Sequence, residues 1–127
     1  MNYKSAQIMI VEDERIIALD IQNLLIQAGY PAPSVYSSGE AAIAAVKKNK
    51  PNLVLMDIML KGKLDGLDAA KKIREYMDIP IIYITALIDE KTRKKAESVS
   101  PYELIGKPIN IRQLLEVLET AMDSHPS

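Results

Sequence analysis

The stretch Leu53-Val54-Leu55-Met56-Asp57-Ile58-Met59-Leu60 decides how this chain is read. Leu53 to Met56 is apolar at every position. A strand without apolar/polar alternation is buried on both faces, which is the environment of a parallel sheet covered by helices. Asp57 then interrupts the run with a carboxylate. In an open parallel sheet the carboxyl ends of the strands, near the point where strand order reverses, are where ligands bind.

Working outward, similar runs occur at Ile8 to Val11, at Ile79 to Ile84 around Pro80 and at Leu104-Ile105, with a weaker candidate at Ser34 to Tyr36. Between them lie helix patterns. Glu14 to Ala28 carries Ile17, Ile21, Leu24, Leu25 and Ala28 at helical spacing, and Gly29 follows as a C-terminal stop. Ser37 and Glu40 read as a capping box for a helix through Ala41 to Asn49, ended by Pro51. Asp65 to Met77 and Glu90 to Val99 supply two more. Asn110 with Gln113 caps the last, which repeats Ile111, Leu114, Leu115, Leu118 and Met122; Asp123 to Ser127 reads as a frayed tail.

Strand and helix thus alternate five times. The expected fold is α/β: a doubly wound five-stranded parallel sheet, flavodoxin-like, of order 2-1-3-4-5, with helices on both faces. A chain of 127 residues suits a single domain over 1–127 with its core at about 7–122. The formal net charge of −1 gives no electrostatic reason for nucleic-acid binding. With no cysteine, disulfides and thiolate metal sites are excluded. Met1-Asn2-Tyr3-Lys4-Ser5 has no signal-peptide character and no run is long enough to span a bilayer, so a cytoplasmic, untargeted protein is expected.

The residues that follow the apolar runs are chemically related. Glu12 and Asp13 follow the first, Asp57 the third, Thr85 the fourth, and Lys107 follows Leu104-Ile105-Gly106. Crowded carboxylates repel one another unless a hard cation lies between them. Mg2+ is the natural candidate, with Mn2+ able to replace it: Asp13 and Asp57 as ligands, Glu12 directly or through water. An Asp carboxylate also attacks phosphorus when the developing charge is neutralised. Lys107 offers a positive charge, Thr85 a hydroxyl and Ala86 a backbone N–H for that purpose. Each residue alone has a plainer reading as a helix cap or a surface group. The coincidence of four strands delivering them to one edge favours the site.

These residues resemble the signature of response-regulator receiver domains: Glu12-Asp13, Asp57 in Met56-Asp57-Ile58-Met59-Leu60, Asp65-Gly66, Thr85-Ala86 and Lys107-Pro108, in that order over Gln7 to Met122. The resemblance implies a phosphoacceptor in a two-component system. A histidine kinase or histidine phosphotransfer protein would donate the phosphoryl group to Asp57. The Met59 carbonyl would complete the metal shell, and Thr85 would move toward the phosphate as the domain switches. Such a protein is not an enzyme in the usual sense, beyond catalysing its own phosphorylation and a slow dephosphorylation. Output would pass to a phosphorylation-dependent effector or a homodimer, with no direct nucleic-acid or membrane partner.

Three departures from the family pattern stand out. The proline usual a few residues after the acceptor is absent, and Leu60-Lys61-Gly62-Lys63-Leu64 makes the loop one residue longer. Leu104 occupies a position often aromatic, with Tyr102 as a stand-in whose plainer role is packing. Met59 and Leu87 flank the water's path without groups to hold a water, which predicts a long-lived phosphoryl group. On the first helix Ile16, Leu19, Asn23 and Ile26 form a second stripe suited to a helical phosphodonor, although burial is the stronger reading for Leu19. Lys91, Arg93, Lys94 and Lys95 make the fourth helix basic, either for an effector or dimer contact or as a solvated face. The lone His125 sits in the tail beside Pro126, leaving no phosphohistidine of the chain's own.

Rival readings are a small Mg-dependent phosphatase with an Asp nucleophile, a nucleotide- or flavin-binding module, and a degenerate receiver acting by contact alone. The first lacks an Asp-x-Asp after the first strand and the second lacks a Gly-rich phosphate loop.

Overall fold

β3 (Leu53–Asp57) is buried at all five of its positions. In the computed structural model, which describes residues 5–86, 89–97 and 103–124, it pairs with β1 (Ile8–Val11) on one side and β4 (Ile81–Thr85) on the other. β2 (Ser34–Tyr36) and β5 (Glu103–Gly106) form the edges. All pairings are parallel and the order is β2-β1-β3-β4-β5, as the apolar runs lead one to expect. Only the inner strands are buried throughout. The edge strands β2 and β5 are partly exposed, and β2, the more exposed of the two, is the weaker candidate in the sequence.

Because successive strand residues point to opposite faces, each strand feeds two cores. Ile8, Ile10, Leu53, Leu55, Ile82, Ile84 and Ile105 pack against Ile21 and Leu25 of α1 (Arg15–Gln27) and against Leu114 and Leu118 of α5 (Ile111–Ser124). Met9, Val11, Val54, Met56, Ile81 and Tyr83 pack instead against α2 (Gly39–Asn49), α3 (Gly66–Tyr76) and Ala96 of α4 (Glu90–Glu97). Full burial of one such apolar side chain stabilises the fold by about 1.5–3 kcal/mol relative to leaving it in water.

The helix ends follow from local chemistry. α1 stops at Gly29, whose φ of 100° suits glycine; Gly29 N–H donates to the Ile26 carbonyl and Tyr30 N–H to that of Leu25, a Schellman close. α2 is capped one residue later than the Ser37 and Glu40 pattern suggests: Ser38 Oγ accepts from Ala41 N–H at 3.1 Å. Ser38 is extended (φ −145°, ψ 158°), as an N-cap must be, and lies three residues before the Ala41 amide it satisfies. Asn110 Oδ1 accepts from Gln113 N–H at 3.1 Å, the expected cap of α5.

Two boundaries differ from expectation, and a third lies outside the described residues. β4 begins after Pro80, which has no N–H for the ladder, and extends to include Thr85. α5 continues through Asp123 to Ser124, where the sequence suggested fraying. α4 reaches Glu97, and the expected end at Val99 lies outside the described residues.

Candidate functional site

Sheet register assembles the site. Val11 pairs with Met56, so the following residues, Glu12 and Asp57, emerge side by side; Asp57 pairs with Ile84, just before Thr85, and Thr85 pairs with Gly106, just before Lys107. Four strands therefore end at one point. Glu12, Asp57 and Thr85 are almost wholly buried there, at 1%, 2% and 0% exposure, whereas Asp13 is half-buried.

Glu12, Asp13 and Asp57 each present a carboxylate oxygen, all within 4.8 Å of one another. Lys107 reaches into this cluster: its Nζ donates to Glu12 Oε1 at 2.5 Å and to Asp57 Oδ2 at 3.1 Å. Asp57 Oδ1 accepts from Met59 N–H at 3.0 Å, and Glu12 Oε2 from Glu14 N–H at 3.1 Å. Asp13 Oδ2 accepts from Lys61 N–H at 3.2 Å. Burial pushes the Glu12 carboxyl up to about 7, aided by Asp57 and opposed by Lys107 and the Glu14 N–H. Burial works against the Lys107 ammonium, yet hydrogen bonds to Glu12 and Asp57 and their charges together raise it above its ordinary value. Three hard oxygen donors at this spacing suit Mg2+ or Mn2+, with one ammonium already offsetting part of their charge.

Two glycines shape the surroundings. A Cβ on Gly66 would overlap the Asp57 carbonyl, so only glycine lets the N-terminus of α3 approach the acceptor so closely. Gly62 adopts φ of 112° in the loop that follows Met59. The Lys107–Pro108 peptide is cis.

The candidate residues Glu12, Asp13, Asp57, Thr85 and Lys107 are thus brought to one edge. Ala86 follows directly and is exposed, and the Met59 side chain is 56% exposed beside the acceptor. Leu87, Tyr102 and His125 lie outside the described residues. Leu19 is not buried, as its pattern favoured, but 43% exposed: it lies about 100° around α1 from Ala18 and outside the arc of Ala18, Ile21 and Leu25 that packs on the sheet. With Ile16 at 84% and Ile26 at 44%, it forms an open apolar stripe. What sequence reasoning missed was the Lys107 bridge between Glu12 and Asp57, and the Lys61 amide on Asp13. The first could be suspected from charge balance; the second is a backbone group and leaves no trace in residue type.

The chain belongs to the response-regulator receiver domain family, whose family model matches residues 8–119. It is 36% identical over 111 residues to the transcriptional regulatory protein YvrH of Bacillus subtilis, covering 87% of this chain and 46% of that one. It is 34% identical over 116 residues to the transcriptional regulatory protein BaeR of Escherichia coli, covering 91% and 48%. The chain therefore spans about half the length of these relatives. Among solved structures it resembles the signal receiver domain of a modulated diguanylate cyclase from Desulfovibrio desulfuricans G20, with a TM-score of 0.88 and 32% identity over 94% of this chain and 95% of that one. It is a receiver domain of the two-component kind, and its acidic cluster fits the phosphoacceptor site of such domains. Among the described residues no helix is long and apolar enough to cross a membrane.

Proposed function

We propose that Asp57 accepts a phosphoryl group from phosphohistidine on a histidine kinase or histidine phosphotransfer protein, in a reaction that requires Mg2+ or Mn2+. The observation carrying this reading is the contact of Lys107 Nζ with Asp57 Oδ2 at 3.1 Å inside a cluster of three carboxylates. A carboxylate oxygen of Asp57 forms the new O–P bond as the donor's N–P bond breaks, and the imidazole leaves. Lys107 balances charge on the acceptor and on the incoming phosphoryl oxygens, while the Met59 N–H fixes the carboxylate's orientation. Glu12, Asp13 and Asp57, with the Met59 carbonyl, are the proposed ligands of the cation. Bound there, the cation supplies further positive charge against the phosphoryl oxygens. The Thr85 hydroxyl and Ala86 N–H are the remaining donors.

The function is signalling by population shift in a cytoplasmic protein, with 1–127 forming one receiver domain, rather than turnover of a free substrate. The exposed stripe Ile16, Leu19 and Ile26 on α1 suits a helical phosphodonor, and basic α4 an effector or a second copy. Intact mass after incubation with Mg2+ and a small acyl phosphate is the test. One added phosphoryl group is expected in wild type and none in Asp57→Asn or in chelator; an adduct indifferent to Asp57 would sink the reading. Met59 has no hydrogen-bonding side chain to hold a water, so Met59→Asn should shorten the lifetime of the phosphorylated form, read by the same mass assay over time. An unchanged lifetime would remove Met59 from that role.

A further inference from the structure

Of the three carboxylates, two are held on both oxygens or by several groups. Glu12 is fixed by Lys107 and by the Glu14 N–H, and Asp57 by Lys107 and by the Met59 N–H. Asp13 differs. It is the least buried of the three, and among the described residues its single hydrogen-bond partner is the main-chain N–H of Lys61, 48 residues away, on Oδ2 at 3.2 Å. We propose that this amide is the positioning group for Asp13: it occupies one carboxylate oxygen, fixes the side chain, and so presents the other oxygen to a divalent cation. The inference rests on the reading above, in which Asp13 is a cation ligand.

The loop is built to keep the amide in place. Before Lys61, Leu60 is anchored in the core at 7% exposure. After it, Gly62 turns the chain at φ of 112°, a conformation costly for any residue with a Cβ. The loop then closes on Gly66, whose N–H donates to the Ile58 carbonyl at 2.9 Å while the residue packs against the Asp57 backbone. The amide is thus suspended between two fixed points over the acidic cluster. A bond from a neighbouring group that orients a metal ligand and restricts its rotation commonly affects affinity by about 10–100-fold when removed. The side chain of Lys61 is not needed for this, so the position is defined by its N–H. Proline, which has none, is the one substitution that deletes the bond directly.

The experiment is titration of Mn2+ into the purified chain, following free Mn2+ by electron paramagnetic resonance, with unfolding of the metal-free forms measured in parallel. Lys61→Pro should bind Mn2+ about tenfold more weakly than wild type. Lys61→Ala, which keeps the N–H, should stay within about twofold. In an Asp13→Ala background, where the positioned group is gone, Lys61→Pro should cause no further loss; that result separates positioning from general damage to the loop. Should Lys61→Pro fail to fold, Gly62→Ala strains the turn and displaces the same amide, and should weaken binding in the same direction. Equal affinities in wild type, Lys61→Pro and Gly62→Ala would overturn the proposal, as would equal losses from Lys61→Pro and Lys61→Ala. If wild type binds Mn2+ normally while the variants fail to differ, only this inference falls. If wild type binds none, the cation reading of the site falls and takes this inference with it.

Discussion

Helices α3 and α4 cover the same face of the sheet, but one is built into the core and the other is laid over it. α3 buries Gly66, Leu67, Ala69, Ala70 and Ile73, begins with a reciprocal capping box between Asp65 and Asp68, and touches the Asp57 backbone through Gly66. α4 buries Ala96 alone among its described residues, and Lys91, Arg93, Lys94, Lys95 and Glu97 face solvent. Its ion pair to α3, Lys95 with Asp65 at 3.7 Å, is exposed and so contributes little. The difference teaches where the domain is able to move. Elements with few buried apolar contacts open at the lowest free energy. α3 holds the acceptor's surroundings still, whereas α4 lies on the layer that contains Tyr83, two residues before Thr85 on the same strand face. A displacement of Thr85 meets least resistance there.

The sharpest way to break this contrast is at Ile73. Ile73→Ala should cost about 2–5 kcal/mol in urea unfolding, because it removes a fully buried side chain from α3. A loss below about 1 kcal/mol, comparable to trimming α4, would mean that α3 is no better anchored than its neighbour.

The second test concerns the site that α3 borders. Glu12 keeps its proton to about pH 7 in the fold but releases it near its ordinary value of 4.5 when unfolded. Between those values the native state binds more protons, so its contribution is complete below about 4.5 and is lost as pH rises toward 7. Metal-free protein should therefore lose stability across that window, and Glu12→Gln should flatten the slope. A wild-type stability curve that instead rises over the same range, with Glu12→Gln parallel to it, would contradict the burial argument.

The smallest expected effect lies under α4. The Tyr83 hydroxyl is buried with no hydrogen-bond partner among the described residues; burial pushes the phenol up to about 12, with the nearby Arg74 charge acting the other way. Removing an unsatisfied buried hydroxyl is neutral or favourable, so Tyr83→Phe should leave stability unchanged or raise it by up to about 1 kcal/mol. A loss of more than about 1 kcal/mol would reveal a partner for the hydroxyl and a tighter layer beneath α4 than the contrast allows.

Much of this molecule was legible in residue order. The inner strands announced themselves because burial on both faces leaves no room for polar alternation, and the acids, Thr85 and Lys107 stood out because each ends such a run. Tertiary structure decided what periodicity does not encode. Whether Leu19 is covered depends on which way α1 rolls on the sheet, and its helical spacing fits either answer. That Ser38 rather than Ser37 caps α2 depends on which residue takes the extended conformation, since both carry the same hydroxyl. The Lys107 bridge joins residues 95 and 50 positions apart, and the Lys61 amide on Asp13 is a group every residue but proline possesses. Residue types thus fixed which chemistry could gather at the edge of the sheet, but only the folded backbone, by setting distances between remote groups, determined which atoms meet.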